Sequence, residues 1–149
     1  MLKSTLHKLR ITQELFPSDW RILIEAWWRL LYFHLALRRV SYERLLMPVQ
    51  SERDDILDGT AVLPLAQKNQ KLVHWAACLH FISMTCLDRS LTLHWILNRR
   101  GVPAKLRIGV GKFQEGFQAH AWVEVCNELL GETADVPARF GILGSPARP

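Results

Sequence analysis

The sequence predicts an α+β fold in which helices come first and a small antiparallel sheet follows. Between Trp20 and Arg100 apolar residues recur at helical spacing. After Gly101-Val102-Pro103 the pattern changes to an alternation of polar and apolar residues, as strands require. Size and composition agree: 149 residues, 49% hydrophobic and 22% charged, suit a single domain with a core of its own. Within it, an N-terminal helical part is expected over about residues 15–50 and a second part over about residues 67–143.

Trp20–Val40 is the most hydrophobic stretch. Arg21, Glu25 and Arg29 interrupt it at four-residue spacing, which places three charges on one helical face and lets Glu25 pair with either arginine. Leu23, Trp27, Leu30, Leu31 and Leu35 take the other faces. The charges weigh against a membrane span. The expectation is a largely buried amphipathic helix capped by Ser18 or Asp19; the alternative is docking on a membrane or a partner. Ser51–Asp55, polar and lying between Pro48 and Pro64, reads as a loop. Two further helices follow, roughly Gln67–Ser83 and Cys86–Arg100, the second ended by Gly101 at a position that favours the left-handed conformation. Two or three strands complete the chain: Lys105–Val110, a turn within Gly111–Gly116, Ala119–Val125, then a tight turn at Asn127-Glu128 before Leu129-Leu130. The tail Gly144–Pro149 is expected to fray.

The formal charge is +5 and the pI about 9.4, but the basic residues are scattered (Lys3, Lys8, Arg38, Arg99, Lys105), with no dense block of the kind that binds nucleic acid. Three cysteines at irregular spacing, without a CxxC pair, make neither a disulfide framework nor a cysteine zinc site. With an N-terminus lacking a signal-peptide core, they point to a reducing, cytoplasmic setting and to no membrane association.

The order of elements suggests chemistry. The thiolate is the reactive form of cysteine, and a helix N-terminus or a nearby histidinium favours it. Cys86 stands where a helix is predicted to start, behind Thr85 as a candidate cap, and first-turn N–H groups there suit an oxyanion. A nucleophile also needs a base and a group that orients the base. Of six histidines, His120 lies in a predicted strand, with Glu132 and Asp135 one strand-turn later as candidate third members. His7, His34, His74, His80 and His94 read as structural or surface residues. Cys78, taken as mid-helix, reads as a small buried hydrophobe, and Cys126 as incidental. Trp122 shares a strand face with His120, where it either shields the site or packs the core. These residues alone leave a non-catalytic peptide-binding module open.

Thr85-Cys86-Leu87, the run Leu97-Asn98-Arg99-Arg100-Gly101-Val102-Pro103-Ala104, Ile108-Gly109-Val110 and Ala119-His120-Ala121-Trp122-Val123-Glu124-Val125 together resemble the leader peptidases of lasso peptide biosynthesis, the protease half of the B component. The resemblance covers roughly Trp75 to Leu143. It implies a papain-like core of the transglutaminase-like superfamily and a Cys-His-acid triad, with Cys86 and His120 as its first two members. The family's acid usually follows an asparagine as an aspartate. Here the pair reads Gly131-Glu132, which favours Glu132 over Asp135. The implied function is cleavage of the leader from a precursor peptide without metal or organic cofactor. A separate leader-recognition protein and an ATP-dependent cyclase are the implied partners. Acyl transfer or amide hydrolysis on the same triad is the alternative reaction.

Overall fold

The computed structural model describes residues 17–39 and 59–143. Among these residues three helices, α1 (Pro17–Leu37), α2 (Gly59–Leu79) and α3 (Cys86–Arg99), precede β1 (Lys105–Phe113), β2 (Gly116–Val125), β3 (Glu128–Leu129), a short α4 (Val136–Arg139) and β4 (Gly141–Ile142). The strands form one antiparallel sheet in the order β3-β2-β1-β4. The fold is therefore α+β, helices first. The loop expected at Ser51–Asp55 and the tail from Gly144 lie outside the described residues.

The main core lies between the helices and one face of the sheet. Leu23, Ala26 and Leu30 of α1 meet Ala66, Leu72 and Ala76 of α2, then Ile96 and Leu97 of α3, then Val123 and Val125 of β2. Fully buried alanines at Ala26, Ala66 and Ala76 let the helices approach closely. Polar contacts fix their alignment. Lys68 Nζ of α2 lies 2.7 Å from the buried carboxylate of Asp19 on α1. At the other end of α3, Arg100 donates to Asn69 of α2 and lies 3.5 Å from Glu25 of α1.

Several boundaries differ from the sequence expectation. Helix α1 starts at Pro17 instead of Trp20, and Val40 lies outside the described residues. Glu25 faces Arg99 and Arg100 of α3 rather than Arg21 or Arg29. Arg29 instead stacks 3.7 Å above the Trp95 ring. Nor is α1 largely buried: α2 and α3 cover only the face of Leu23, Ala26, Leu30 and Phe33, and Trp20, Ile24, Trp28, Tyr32 and Leu35 are 43% to 61% exposed. No helix among the described residues is long and apolar enough to cross a membrane.

Helix α2 begins eight residues before Gln67 and ends at Leu79. Pro64 stands at its sixth position, past the unpartnered first turn, and removes one helical hydrogen bond there. The strands run further than their alternation, so the β1–β2 turn narrows to Gln114-Glu115. The β2–β3 turn falls at Cys126-Asn127, one residue early, because both residues take the left-handed backbone of a tight hairpin (φ 51° and 64°). Strand β4 is too short to leave a period in the sequence. Helix α3 ends as expected: Gly101, φ 74°, bonds to Asn98 O while Val102 N bonds to Leu97 O, both at 3.0 Å.

His94 of α3 is 3% exposed. Burial pushes its imidazole down to about 4 from 6.5, against a smaller opposing pull from a hydrogen bond to the Ala104 backbone. The unfolded chain takes up this proton below about 6.5, and the folded chain resists it until about 4, so stability is full above that window and falls as pH drops through it. The full loss is on the order of 3 kcal/mol. In thermal unfolding scans this part of the pH dependence should vanish in His94→Asn; an unchanged slope would contradict the assignment.

Candidate active site

The start of α3 is built by a capping box. Asp88 N donates to Thr85 Oγ1 (3.2 Å), Thr85 N donates back to Asp88 Oδ2 (2.9 Å), and the Thr85 hydroxyl donates to the same oxygen (3.0 Å). Cys86 is the first residue of the helix that follows. By helix geometry its N–H and that of Leu87 have no acceptor within the helix and are available to an anion. Asp88 is 1% exposed, and its Oδ2 accepts a further bond from His34 Nδ1 of α1 at 3.0 Å. The sequence reading had Thr85 as a candidate cap but not its reciprocal bond with Asp88. Nor was the tie of Asp88 to His34, which read as merely structural, legible there, because the two lie 54 residues apart.

His120 lies in β2, beside Trp122 (ring centroids 6.2 Å apart) and Phe140 (5.3 Å). Trp122 is 1% exposed and packs with Val136 and Phe140 on the sheet face away from the main core. Its indole N–H donates to Glu124 at 2.9 Å. Both roles weighed for Trp122 therefore meet in one residue: it is core, and it lines the cavity beside His120. Strand β3 pairs only with Glu124 and Val125, and Leu130 N adds a bond to Val123 O. Beyond Val123 that edge of β2 carries no strand among the described residues. There Ala121 O accepts instead from Ser90 Oγ of α3 (2.9 Å). Ser90 lies one turn after Cys86, so this bond ties the helix of Cys86 to the strand of His120.

Past Leu130 the chain turns at Gly131 (φ 72°), and Glu132 Oε1 comes to 3.0 Å from His120 Nε2. Asp135 is placed elsewhere. It accepts from the Thr133 hydroxyl, lies 3.4 Å from Arg139 Nη1, and the Thr133 bond above all holds its carboxyl below the usual range. The longer glutamate side chain thus reaches the imidazole from the position where the resemblance expects an aspartate.

Cys86, His120 and Glu132 line one cavity of about 260 Å³ between α2, α3 and β2. Neither His34 nor Asp88 lines it, so of the histidine–acid pairs His34–Asp88 and His120–Glu132 it is the second that shares this cavity with Cys86. Of the polar lining residues, Gln70, Arg89 and Ser90 escaped the sequence reading, and His74 read only as structural or surface. A Cβ on Gly131 would fall 2.1 Å from Gln70 Nε2, so the bare glycine is what lets the Gln70 amide lie there. Cys78 departs from expectation: it sits at the end of α2, exposed, with Sγ 3.7 Å from His74 Nε2. Cys126 is exposed in the hairpin turn, and Cys86 is half-buried.

A family model described as the transglutaminase-like superfamily matches residues 27–145. No curated protein and no solved structure matches the chain.

Removing the Asp88 carboxylate deletes half of the capping box and strands the His34 N–H in a buried place. Asp88→Ala should cost about 2–4 kcal/mol in urea unfolding, against about 1 kcal/mol for Thr85→Ala. Equal costs would mean that the His34 contact contributes nothing.

Proposed function

The chain belongs to the transglutaminase-like superfamily, and from that premise we propose that it is a cytoplasmic cysteine peptidase that cleaves the leader from a lasso precursor peptide. The observation that carries the reading is the meeting of Cys86, at the first position of α3, with the His120–Glu132 pair in one cavity. The motifs around Cys86, Arg99–Ala104 and His120 support the substrate class.

His120 takes the proton of the Cys86 thiol. With Nε2 held by Glu132, Nδ1 is the ring nitrogen left for that transfer. The sulfur attacks the scissile carbonyl carbon, and the N–H groups of Cys86 and Leu87 stabilise the oxyanion. The amide of Gln70, in the same cavity wall, is the side-chain donor that can join them. The C–N bond breaks as His120 gives its proton to the leaving amine. Water, deprotonated by His120, then attacks the thioester and releases the carboxylate and the thiol. Glu132 keeps the imidazole oriented throughout. This reading assigns the exposed aromatic face of α1 to a separate leader-recognition protein, and it hands the freed core amine to an ATP-dependent cyclase.

Cleavage of a leader-containing peptide, supplied with its recognition protein and followed by mass spectrometry, should stop in Cys86→Ala and His120→Ala. Products that together gain one water mark hydrolysis; an added amine would instead assign acyl transfer. Glu132→Gln should slow turnover by about two orders of magnitude or more. Asp135→Asn should stay within about twofold of the wild type. Retained cleavage in Cys86→Ala would end the proposal, and equal activity in the two acid variants would place the third member elsewhere.

A further inference from the structure

Resting on that reading of the site, we propose that Arg89 is a carboxylate-binding residue that makes the enzyme select an acidic peptide residue beside the scissile bond, with a bulky apolar neighbour seated in a second cleft. Arg89 lies one turn after Cys86 on α3 and lines the cavity of Cys86 and His120. It also lines a second cleft of about 280 Å³, walled by His80, Phe81, Ile82 and Met84. The two spaces therefore share the Arg89 side chain as a wall, as the pockets for neighbouring residues of an extended peptide share one.

The charge of that guanidinium is uncommitted. Arg99, Arg100, Arg107 and Arg139 each face a carboxylate within the fold. Arg89 does not: its Nε reaches the Thr85 carbonyl at 3.4 Å, and no carboxylate of the described residues pairs with it. The Nε contact anchors the stem beside the capping box and leaves the terminal nitrogens for a ligand. A planar guanidinium in that state suits a carboxylate, which it can hold with two parallel bonds. The net charge of +5 favours an acidic segment further.

The second cleft supplies the apolar half. Phe81 is 74% exposed and stands against His80, 4.7 Å between ring centroids, which in turn stacks on Trp27 at 4.4 Å. An exposed phenylalanine backed by two further rings is a ready wall for a large apolar side chain. Burial of His80 and the nearby His34 both lower the His80 imidazole, so this wall is neutral near pH 7 and leaves Arg89 as its one cation among the lining residues.

The test uses the full-length protein with its leader-recognition protein and a pool of internally quenched, leader-containing peptides randomised on both sides of the scissile bond, with products sequenced by mass spectrometry. Wild-type products should be enriched in Asp or Glu at one position beside the cleaved bond, by about tenfold, as one charge-assisted pair allows. Arg89→Gln should erase that enrichment, and Arg89→Glu should replace it with Lys or Arg. Phe81→Ser should relax the apolar preference next to it and leave the acidic one. The same acidic enrichment in all Arg89 variants would overturn the proposal. A second measurement needs no turnover: the rate of Cys86 alkylation by iodoacetate divided by that by iodoacetamide. The ratio should fall about tenfold in Arg89→Gln, and an unchanged ratio would overturn the proposal. A wild-type protein that cleaves no peptide yet shows the fall would count against the peptidase reading and in favour of the anion site.

Discussion

One carboxylate oxygen, Oδ2 of Asp88, holds the start of α3 and with it everything the cavity can do. It accepts from the Thr85 backbone, the Thr85 hydroxyl and the His34 ring. A carboxylate that is almost wholly buried is costly unless its oxygens find donors, and three converge on this one. They come from two elements, so the first turn of α3 is pinned both to its own cap and to α1. Cys86 follows Thr85 directly. Its position is therefore set by a buried polar network and not by a loop, which is what a nucleophile that must meet a base on another element requires.

A second tie links the helix of Cys86 to the strand of His120. Ser90 Oγ bonds to Ala121 O on the unpaired edge of β2, next to His120. Strand β3 is only two residues long, and this shortness opens the edge. A longer partner strand would take the Ala121 carbonyl and close the cavity. The chain instead leaves the sheet at Leu130, turns at Gly131 and returns Glu132 to the imidazole. The same turn seats the Gln70 amide of α2 against Gly131. Helix, strand edge and turn thus converge on one cavity, each held by a contact that also serves the fold.

The sequence carried the class of fold, the helix start at Cys86, the left-handed stop at Gly101 and a strand histidine with two candidate acids, Glu132 and Asp135, one hairpin on; only the resemblance favoured Glu132. These are local signals: a cap, a turn, an alternation, a spacing of one hairpin. What escaped it depends on residues far apart in the chain. His34 meets Asp88 across 54 positions, Ser90 meets Ala121 across 31, and Glu25 prefers the arginines of α3 to those on its own helix. The exposed face of α1 escaped for a related reason, since apolar periodicity tells which residues share a face but not which face a neighbour covers. Cys78 read as buried because it was taken as mid-helix in a stretch expected to run to Ser83, yet it falls where α2 is already ending.

The central claim is that position, and not exposure, makes Cys86 the reactive thiol. The three cysteines provide their own controls, because Cys78 and Cys126 are exposed and Cys86 is half-buried. The direct measurement is the rate at which each is alkylated by iodoacetamide near pH 7, resolved by peptide mass spectrometry. The account predicts that Cys86 reacts fastest and that His120→Ala removes its advantage. An order that follows exposure, with Cys86 slowest in the wild type, would contradict it.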